Sequence, residues 1–90
     1  MSEFGRKLST LRNRSNRSRY NLARFSGLNE AYILRLETGQ RLNPSRDVVM
    51  MLALALVQGA DVFEIWDIDE LLVSAAYAPL RRRGQQYKQE

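Results

Sequence analysis

Residues 19–36 restrict the fold of this 90-residue chain more than any other part of its sequence. They contain two runs of apolar residues at helical spacing, and Gly27 separates the runs. Glycine readily adopts the left-handed backbone in which helices end, so a three-residue turn is expected at Ser26-Gly27-Leu28. Two helices joined by so short a turn cross steeply and hold their apolar sides against the rest of a domain. The residues expected to point inward are Leu22, Ala23, Phe25, Leu28, Ile33 and Leu36.

Another helix is predicted before this pair, over residues 2–14. Phe4, Leu8 and Leu11 recur at spacings of four and three residues, which places them on one face of a helix. The polar run over residues 13–18 competes with helix formation for backbone hydrogen bonds, and Asn16 can adopt a left-handed conformation. The chain is therefore expected to turn between the first helix and the second.

Two more helices are predicted after the pair. The fourth contains the apolar run over residues 48–57 and is expected in the centre of the core. The fifth has two overlapping start signals, Asp61 with Glu64 and Asp67 with Glu70, and is expected to end at Pro79. Residues suited to begin or end the second, third and fourth helices are Ser18, Gly27, Asn29, Gly39, Pro44, Ser45 and Gly59.

Together these patterns predict an all-α domain of five helices over residues 1–78 and a basic, flexible C-terminal tail over residues 79–90. No segment alternates polar and apolar residues over a useful length, so no sheet is expected. The longest apolar run is about half of the roughly 20 residues that span a bilayer, and no transmembrane segment is predicted.

Cysteine and histidine are both absent from the chain. Their absence excludes disulfides, zinc sites built from these residues, and nucleophiles that depend on a histidine base. No cofactor, no metal and no enzymatic activity are therefore expected. The acidic residues between 61 and 70 could be interpreted as a metal or acid–base cluster. They lie in the first turns of a predicted helix, however, where the helix dipole stabilises negative charge, and this favours a structural role.

Basic and acidic residues are segregated along the sequence. Residues 1–46 contain ten basic and three acidic residues, which gives a net charge of +7. Residues 47–80 contain six acidic residues and no basic one, a net charge of −6. A net charge of +4 would by itself be typical of an ordinary solvated surface. Its segregation gives the chain a basic front and an acidic back, and such a basic face is either simply solvated or meets nucleic acid.

Residues 4–45 contain a set of residues in a characteristic order and spacing. The set is Phe4-Gly5, Leu11-Arg12, Ser18, Leu22-Ala23, Gly27, Ile33, Leu36-Glu37, Gly39 and Pro44-Ser45. Over residues 4–57 the chain thereby resembles the Cro and phage-repressor type of helix-turn-helix domain, the XRE family. The resemblance implies a five-helix, lambda-repressor-like fold whose second and third helices form the helix-turn-helix. The chain departs from the family pattern at Arg19, where glutamine is usual, and at Arg17, where an apolar residue is usual.

The resemblance also implies that the third helix lies in the major groove of double-stranded DNA, while neighbouring residues contact phosphates. Arg35 suits guanine, Glu30 suits cytosine, and Ala31 suits the methyl group of thymine. Alternatively, Arg35 pairs with a nearby acid and Tyr32 packs within its own domain. The residues expected to read bases are Asn29, Glu30, Ala31, Tyr32 and Arg35, and those expected to contact phosphate are Ser18, Arg19, Arg41, Asn43 and Arg46.

The sequence is compatible with two functions. The first is a transcriptional regulator, expected to be a repressor, that binds an inverted repeat as a homodimer in the cytoplasm of a prokaryote or phage host. The second is a protein-binding adaptor or antitoxin that uses the acidic face of the fifth helix. Phe63 and Trp66 either complete the core or contact a second subunit or partner. Glu37 is expected to brace the fold, with Arg12 as its candidate partner, and not to touch DNA.

Overall fold

The computed structural model describes residues 2–58 and 64–81 of the chain. Within these residues the protein has five helices and no strand, which confirms the predicted all-α architecture. No helix in this part of the chain has both the length and the apolar character needed to cross a membrane. Gly59, Asp61, Phe63 and residues 82–90 of the predicted tail lie outside the described residues. The helices are α1 (Glu3–Arg14), α2 (Arg19–Ser26), α3 (Glu30–Thr38), α4 (Arg46–Val57) and α5 (Ile65–Ser74).

Polar side chains begin the first four helices, as the sequence predicts for the second, third and fourth. In each case a side-chain oxygen accepts a hydrogen bond at 2.7–3.3 Å from a backbone N–H two or three residues further on. These bonds satisfy N–H groups that have no acceptor within the helix. The capping residues are Ser2, Ser18, Asn29 and Ser45.

Two left-handed glycines end the helices of the pair. Gly27 follows α2 with φ 78°, and Gly39 follows α3 with φ 84°. The connection between α2 and α3 is three residues long, but it is shifted by one from the predicted turn: Ser26 is the last residue of α2, and the turn runs from Gly27 to the cap of α3. The predicted left-handed conformation of Asn16 is confirmed by its φ of 60°.

One apolar core joins the five helices. It includes the face of α1 predicted from helical spacing and the inward residues of the pair. Phe25 was predicted to point inward as well, and this is wrong because its side chain is 50% exposed. Ser26, four residues after Leu22, is buried at that junction instead. The residues with the largest fully buried side chains are Leu8, Leu22, Ile33, Leu36, Val49, Leu52, Leu56, Leu71 and Leu72.

α1 approaches the backbone of α3 closely at Gly5. A methyl group added at Gly5 would lie 2.3 Å from the backbone oxygen of Leu36 and 2.7 Å from that of Glu37. Both separations are far below van der Waals contact, so α1 can pack at this depth only with glycine at position 5. At this point α1 therefore packs directly against the backbone of Leu36 and Glu37 near the end of α3.

The start of α5 differs from both predicted signals. The helix begins at Ile65, directly after Glu64. The side chain of Asp67 accepts a hydrogen bond from the backbone N–H of Glu64 at 2.8 Å. The observed start therefore combines the second residue of one predicted pair with the first residue of the other.

The end of α5 was also predicted wrongly, because the helix stops at Ser74 and does not reach Pro79. Ala76 has a left-handed backbone with φ 70°, and the N–H of Tyr77 returns to the backbone oxygen of Leu72 at 2.9 Å. The Tyr77 hydroxyl donates a hydrogen bond at 2.7 Å to the backbone oxygen of Pro44, in the connection between α3 and α4. This long-range bond accompanies the departure of the chain from the helix axis.

Candidate nucleic-acid interface

The exposed side of α3 presents four of the five residues predicted to read bases. Glu30, Ala31 and Arg35 are exposed, while Ile33 of the same helix is fully buried and fixes its orientation. Asn29 is exposed too, but its side-chain oxygen already accepts the N–H groups at the start of α3 at 2.7 and 3.3 Å. The amide nitrogen of Asn29 is the group that stays available to a ligand.

Tyr32, the fifth predicted base-reading residue, has two roles in the structure. Part of its ring packs against the core, as the alternative interpretation anticipated. The guanidinium of Arg41 lies over the ring, 5.4 Å from its centroid. The backbone N–H of Arg41 also bonds to the backbone oxygen of Arg35 at 3.0 Å. The structure thus brings together one predicted phosphate contact, Arg41, and two predicted base-reading residues.

Several arginines around α3 are exposed and have no carboxylate partner. These arginines lie on α2, on α3, in the loop after α3 and at the start of α4, and they form no ion pair with another described residue. They are Arg24, Arg35, Arg41 and Arg46. The alternative that Arg35 pairs with a nearby acid is therefore not realised in this part of the chain. An exposed guanidinium without a carboxylate keeps its charge and its forked donors available to an anion such as phosphate.

The remaining predicted phosphate contacts lie in the connections and at helix starts. Ser18 is exposed, and its hydroxyl oxygen accepts the backbone N–H of Asn21 at 3.0 Å. Asn43 is exposed in the loop before α4, with a left-handed φ of 58°. Arg17, which sequence reasoning did not place in the site, donates to the backbone oxygen of Gln58 and lies over the ring of Phe25, 4.7 Å from its centroid.

Glu37 forms a buried ion pair with Arg12, as predicted. Arg12 Nε lies 2.6 Å from Glu37 Oε2, and Arg12 Nη2 lies 3.2 Å from Oε1. Arg12 Nη1 also donates to the backbone oxygen of Arg17 at 2.8 Å. The pair therefore links α1, the connection between α1 and α2, and the end of α3.

Arg19 shares this carboxylate, which the sequence did not predict. Its Nε lies 2.8 Å from Glu37 Oε1, and its side chain is 37% exposed. Arg19 is thus a predicted phosphate contact that is tied to the fold at one atom. The signal in the sequence was the arginine itself, at a position where glutamine is usual in the family that the chain resembles.

The acidic residues of α5 pair with cations from distant parts of the chain. Lys7 lies 2.8 Å from Glu70, Arg14 lies 2.8 Å from Asp67, and Arg81 lies 2.7 Å from Asp69. Two of these cations, Lys7 and Arg14, belong to α1 in the basic front of the sequence. Their ion pairs therefore join α1 to α5. Among the described residues, the exposed arginines without a carboxylate partner lie on α2, on α3, in the loop after α3 and at the start of α4.

Asp67 is a structural carboxylate. Burial by itself would raise its pKa, but hydrogen bonds from Arg14 and from the backbone of Glu64, together with the charges of Arg14 and Lys7, outweigh that effect. The pKa of Asp67 consequently lies below its ordinary value of 3.8. Across the described ranges, no three acidic side chains are grouped so that they could hold a metal ion.

Trp66 is not part of the core. Its side chain is 49% exposed on α5, and the guanidinium of Arg81 lies 5.9 Å from its ring centroid. Trp66, Lys7, Val73 and Arg81 are among the residues that line an open groove of about 720 Å³. Of the two interpretations of Trp66, completion of the core is therefore wrong, whereas contact with a second subunit or partner stays a prediction.

Comparison with known families gives one match. The model of a family described as a helix-turn-helix domain matches residues 3–64. This range includes α1 to α4 and every residue predicted to contact DNA. No curated protein and no solved structure matches the chain.

Proposed function

The chain belongs to the helix-turn-helix domain family, and from this premise we propose that it binds specific sites on double-stranded DNA and regulates transcription without enzymatic activity. The observation that carries the proposal is the distribution of available charge. Arg35, Arg41 and Arg46 are exposed and have no carboxylate partner among the described residues. They lie on α3, in the loop after it and at the start of α4.

The proposed orientation puts the exposed side of α3 in the major groove. Arg35 has the forked donors that fit the two acceptors of guanine, and Glu30 can accept from the amino group of cytosine. The amide nitrogen of Asn29 can donate to a base acceptor, since its oxygen is occupied by the helix cap. Each good contact of this kind discriminates between bases by about 1–3 kcal/mol.

The cations around α3 supply affinity without sequence choice. Arg41 and Arg46 flank the end of α3 and the start of α4, where they can bind phosphates. Arg19, Ser18 and Asn43 add polar groups to the same proposed interface. These contacts fix the register of α3 along the groove.

We further propose that the protein acts as a homodimer on an inverted repeat and represses transcription by occupying it. A single module of this size buries limited surface on DNA, so two half-sites about one helical turn apart provide tighter binding. The exposed Trp66 supports a subunit contact, because aromatic residues are enriched where protein surfaces associate.

Selection of binding sites from random duplexes tests the proposal, combined with light scattering of the protein and its complex. We expect a preferred palindromic sequence and the mass of two chains per duplex. Arg35→Ala should lower affinity for the selected site by about tenfold or more and relax base choice at one position. Arg41→Ala, the matched control, should weaken selected and random duplexes alike. Equal losses on both duplexes for Arg35→Ala would contradict its role in base reading.

A second candidate function is a protein-binding adaptor or antitoxin that uses the groove beside Trp66. The half-exposed indole and the neighbouring exposed Val73 favour it, since apolar side chains in a groove can bind a partner. Selection experiments separate the two functions: recovery of no preferred duplex, with equal binding to all sequences, supports the adaptor.

A further inference from the structure

Glu37 accepts hydrogen bonds from two arginines that differ greatly in exposure. The side chain of Glu37 is 3% exposed, that of Arg12 is 10% exposed, and that of Arg19 is 37% exposed. Arg12 reaches both carboxylate oxygens, at 2.6 and 3.2 Å, and by itself balances the charge of Glu37. Arg19 consequently adds one positive charge that the cluster does not neutralise.

The contact between Arg19 and Glu37 uses only one of the nitrogen atoms of the guanidinium. Nε donates to Glu37 Oε1 at 2.8 Å, and within residues 2–58 and 64–81 the two terminal nitrogens make no hydrogen bond. A guanidinium is planar, and its terminal nitrogens form a fork opposite the bond to the side chain. With Nε held by the protein, this fork is left for a second, external acceptor.

We propose that Glu37 is a positioning residue for the DNA contact of this protein. It holds Arg19 through Nε so that the terminal nitrogens bind one backbone phosphate of the duplex with two parallel hydrogen bonds. This inference rests on the proposed DNA binding and adds to it a requirement for arginine at position 19. The orientation is set before DNA arrives, so less side-chain freedom is lost when the phosphate binds.

Lysine at position 19 cannot reproduce this arrangement. Its single ammonium group carries the same charge but has no separate Nε, so it can serve the buried carboxylate or the phosphate but not both with the geometry of a fork. A simple requirement for positive charge would instead tolerate lysine. The comparison of arginine with lysine therefore separates positioning by Glu37 from general electrostatic attraction.

The experiment measures affinity for a selected duplex, as a function of salt, for wild type, Arg19→Lys and Arg19→Ala. Arg6→Lys is the matched control, because Arg6 is exposed on α1, lies outside the proposed interface, and pairs in the described part of the chain with the exposed Glu3 at 3.6 Å. We expect Arg19→Lys to lose roughly tenfold in affinity, close to the loss for Arg19→Ala. The slope of log K against log salt should become shallower by about 0.9, the equivalent of one phosphate contact, for both variants. Arg6→Lys should leave both affinity and slope unchanged.

The thermal midpoint of each free protein is measured alongside, because a purely structural role of Arg19 would lower it without altering the salt slope. That outcome overturns the proposal, as does wild-type affinity and slope in Arg19→Lys. Absence of salt-dependent duplex binding by the wild-type protein would instead refute the proposed function itself. Glu37→Gln is less suitable as a test, since it leaves Arg12 as a buried charge without its partner and should destabilise the fold.

Discussion

Gly5→Ala should destabilise the protein although alanine is the better helix former. Gly5 lies in the first turns of α1, where replacement of glycine by alanine would by helix propensity alone stabilise the helix by at most about 1 kcal/mol. The added methyl group would lie 2.3 and 2.7 Å from two backbone oxygens of α3, and α1 has to move by an ångström or so to clear them. Overpacking of this kind costs about 3 kcal/mol when the obstacle is backbone, since no side chain can rotate away. The expected net loss is therefore about 2 kcal/mol, or roughly 10 °C in thermal midpoint for a domain of this size.

Urea and thermal unfolding followed by circular dichroism measure this loss. Gly27→Ala is the matched control, because no atom lies within 4 Å of the added methyl group and the cost is only that of a left-handed backbone. That cost is about 1 kcal/mol. If Gly5→Ala were as stable as wild type, or more stable as helix propensity alone predicts, the close approach of α1 and α3 would be wrong.

Two further predictions concern the contacts that hold α5 and the chain after it. The pKa of Asp67 is lower in the folded state than its ordinary value of 3.8, so its ionised form stabilises the fold above that pH. This contribution should be lost as the pH falls below about 3.8 through the folded pKa. The measurement is the difference in unfolding free energy between wild type and Asp67→Asn from pH 6 to pH 2, and this difference should shrink as the pH falls below about 3.8. A difference that stays constant would contradict the assignment. Tyr77→Phe removes the hydroxyl that donates to the backbone oxygen of Pro44 at 2.7 Å and should cost about 1 kcal/mol in chemical unfolding, whereas Tyr20→Phe, at an exposed tyrosine, should cost much less.

The helix pair and its limits were predictable because their signals are local. Ser18 and Asn29 cap helices whose own N–H groups they bind, and Gly27 and Gly39 adopt a backbone that other residues rarely adopt. The exposure of Glu30 and Arg35 followed from the same spacing that buries Ile33. The residues predicted to read bases therefore lie on α3 and at its cap.

Other features could not be read locally, since they depend on which helices meet. The two start signals of α5 are equally strong in the local sequence. The observed start, directly after Glu64, coincides with an ion pair between Asp67 and Arg14, two residues that are far apart in sequence. Phe25 has an apolar side chain at a plausible inward position, yet it is exposed, and Ser26, the last residue of α2, is buried instead.

The sequence by itself determined a helix-turn-helix among five helices, because caps, glycines and apolar spacing act within a few residues of one another. Tertiary structure alone decided how the charges are used. Lys7 and Arg14 form ion pairs with acidic residues of α5, while Arg35 on α3 and Arg41 in the loop after it are exposed and can bind an anion. The same packing brings Arg19 within 2.8 Å of Glu37, eighteen residues away in sequence. Coulomb interactions depend on distance in space, which position in the sequence does not supply.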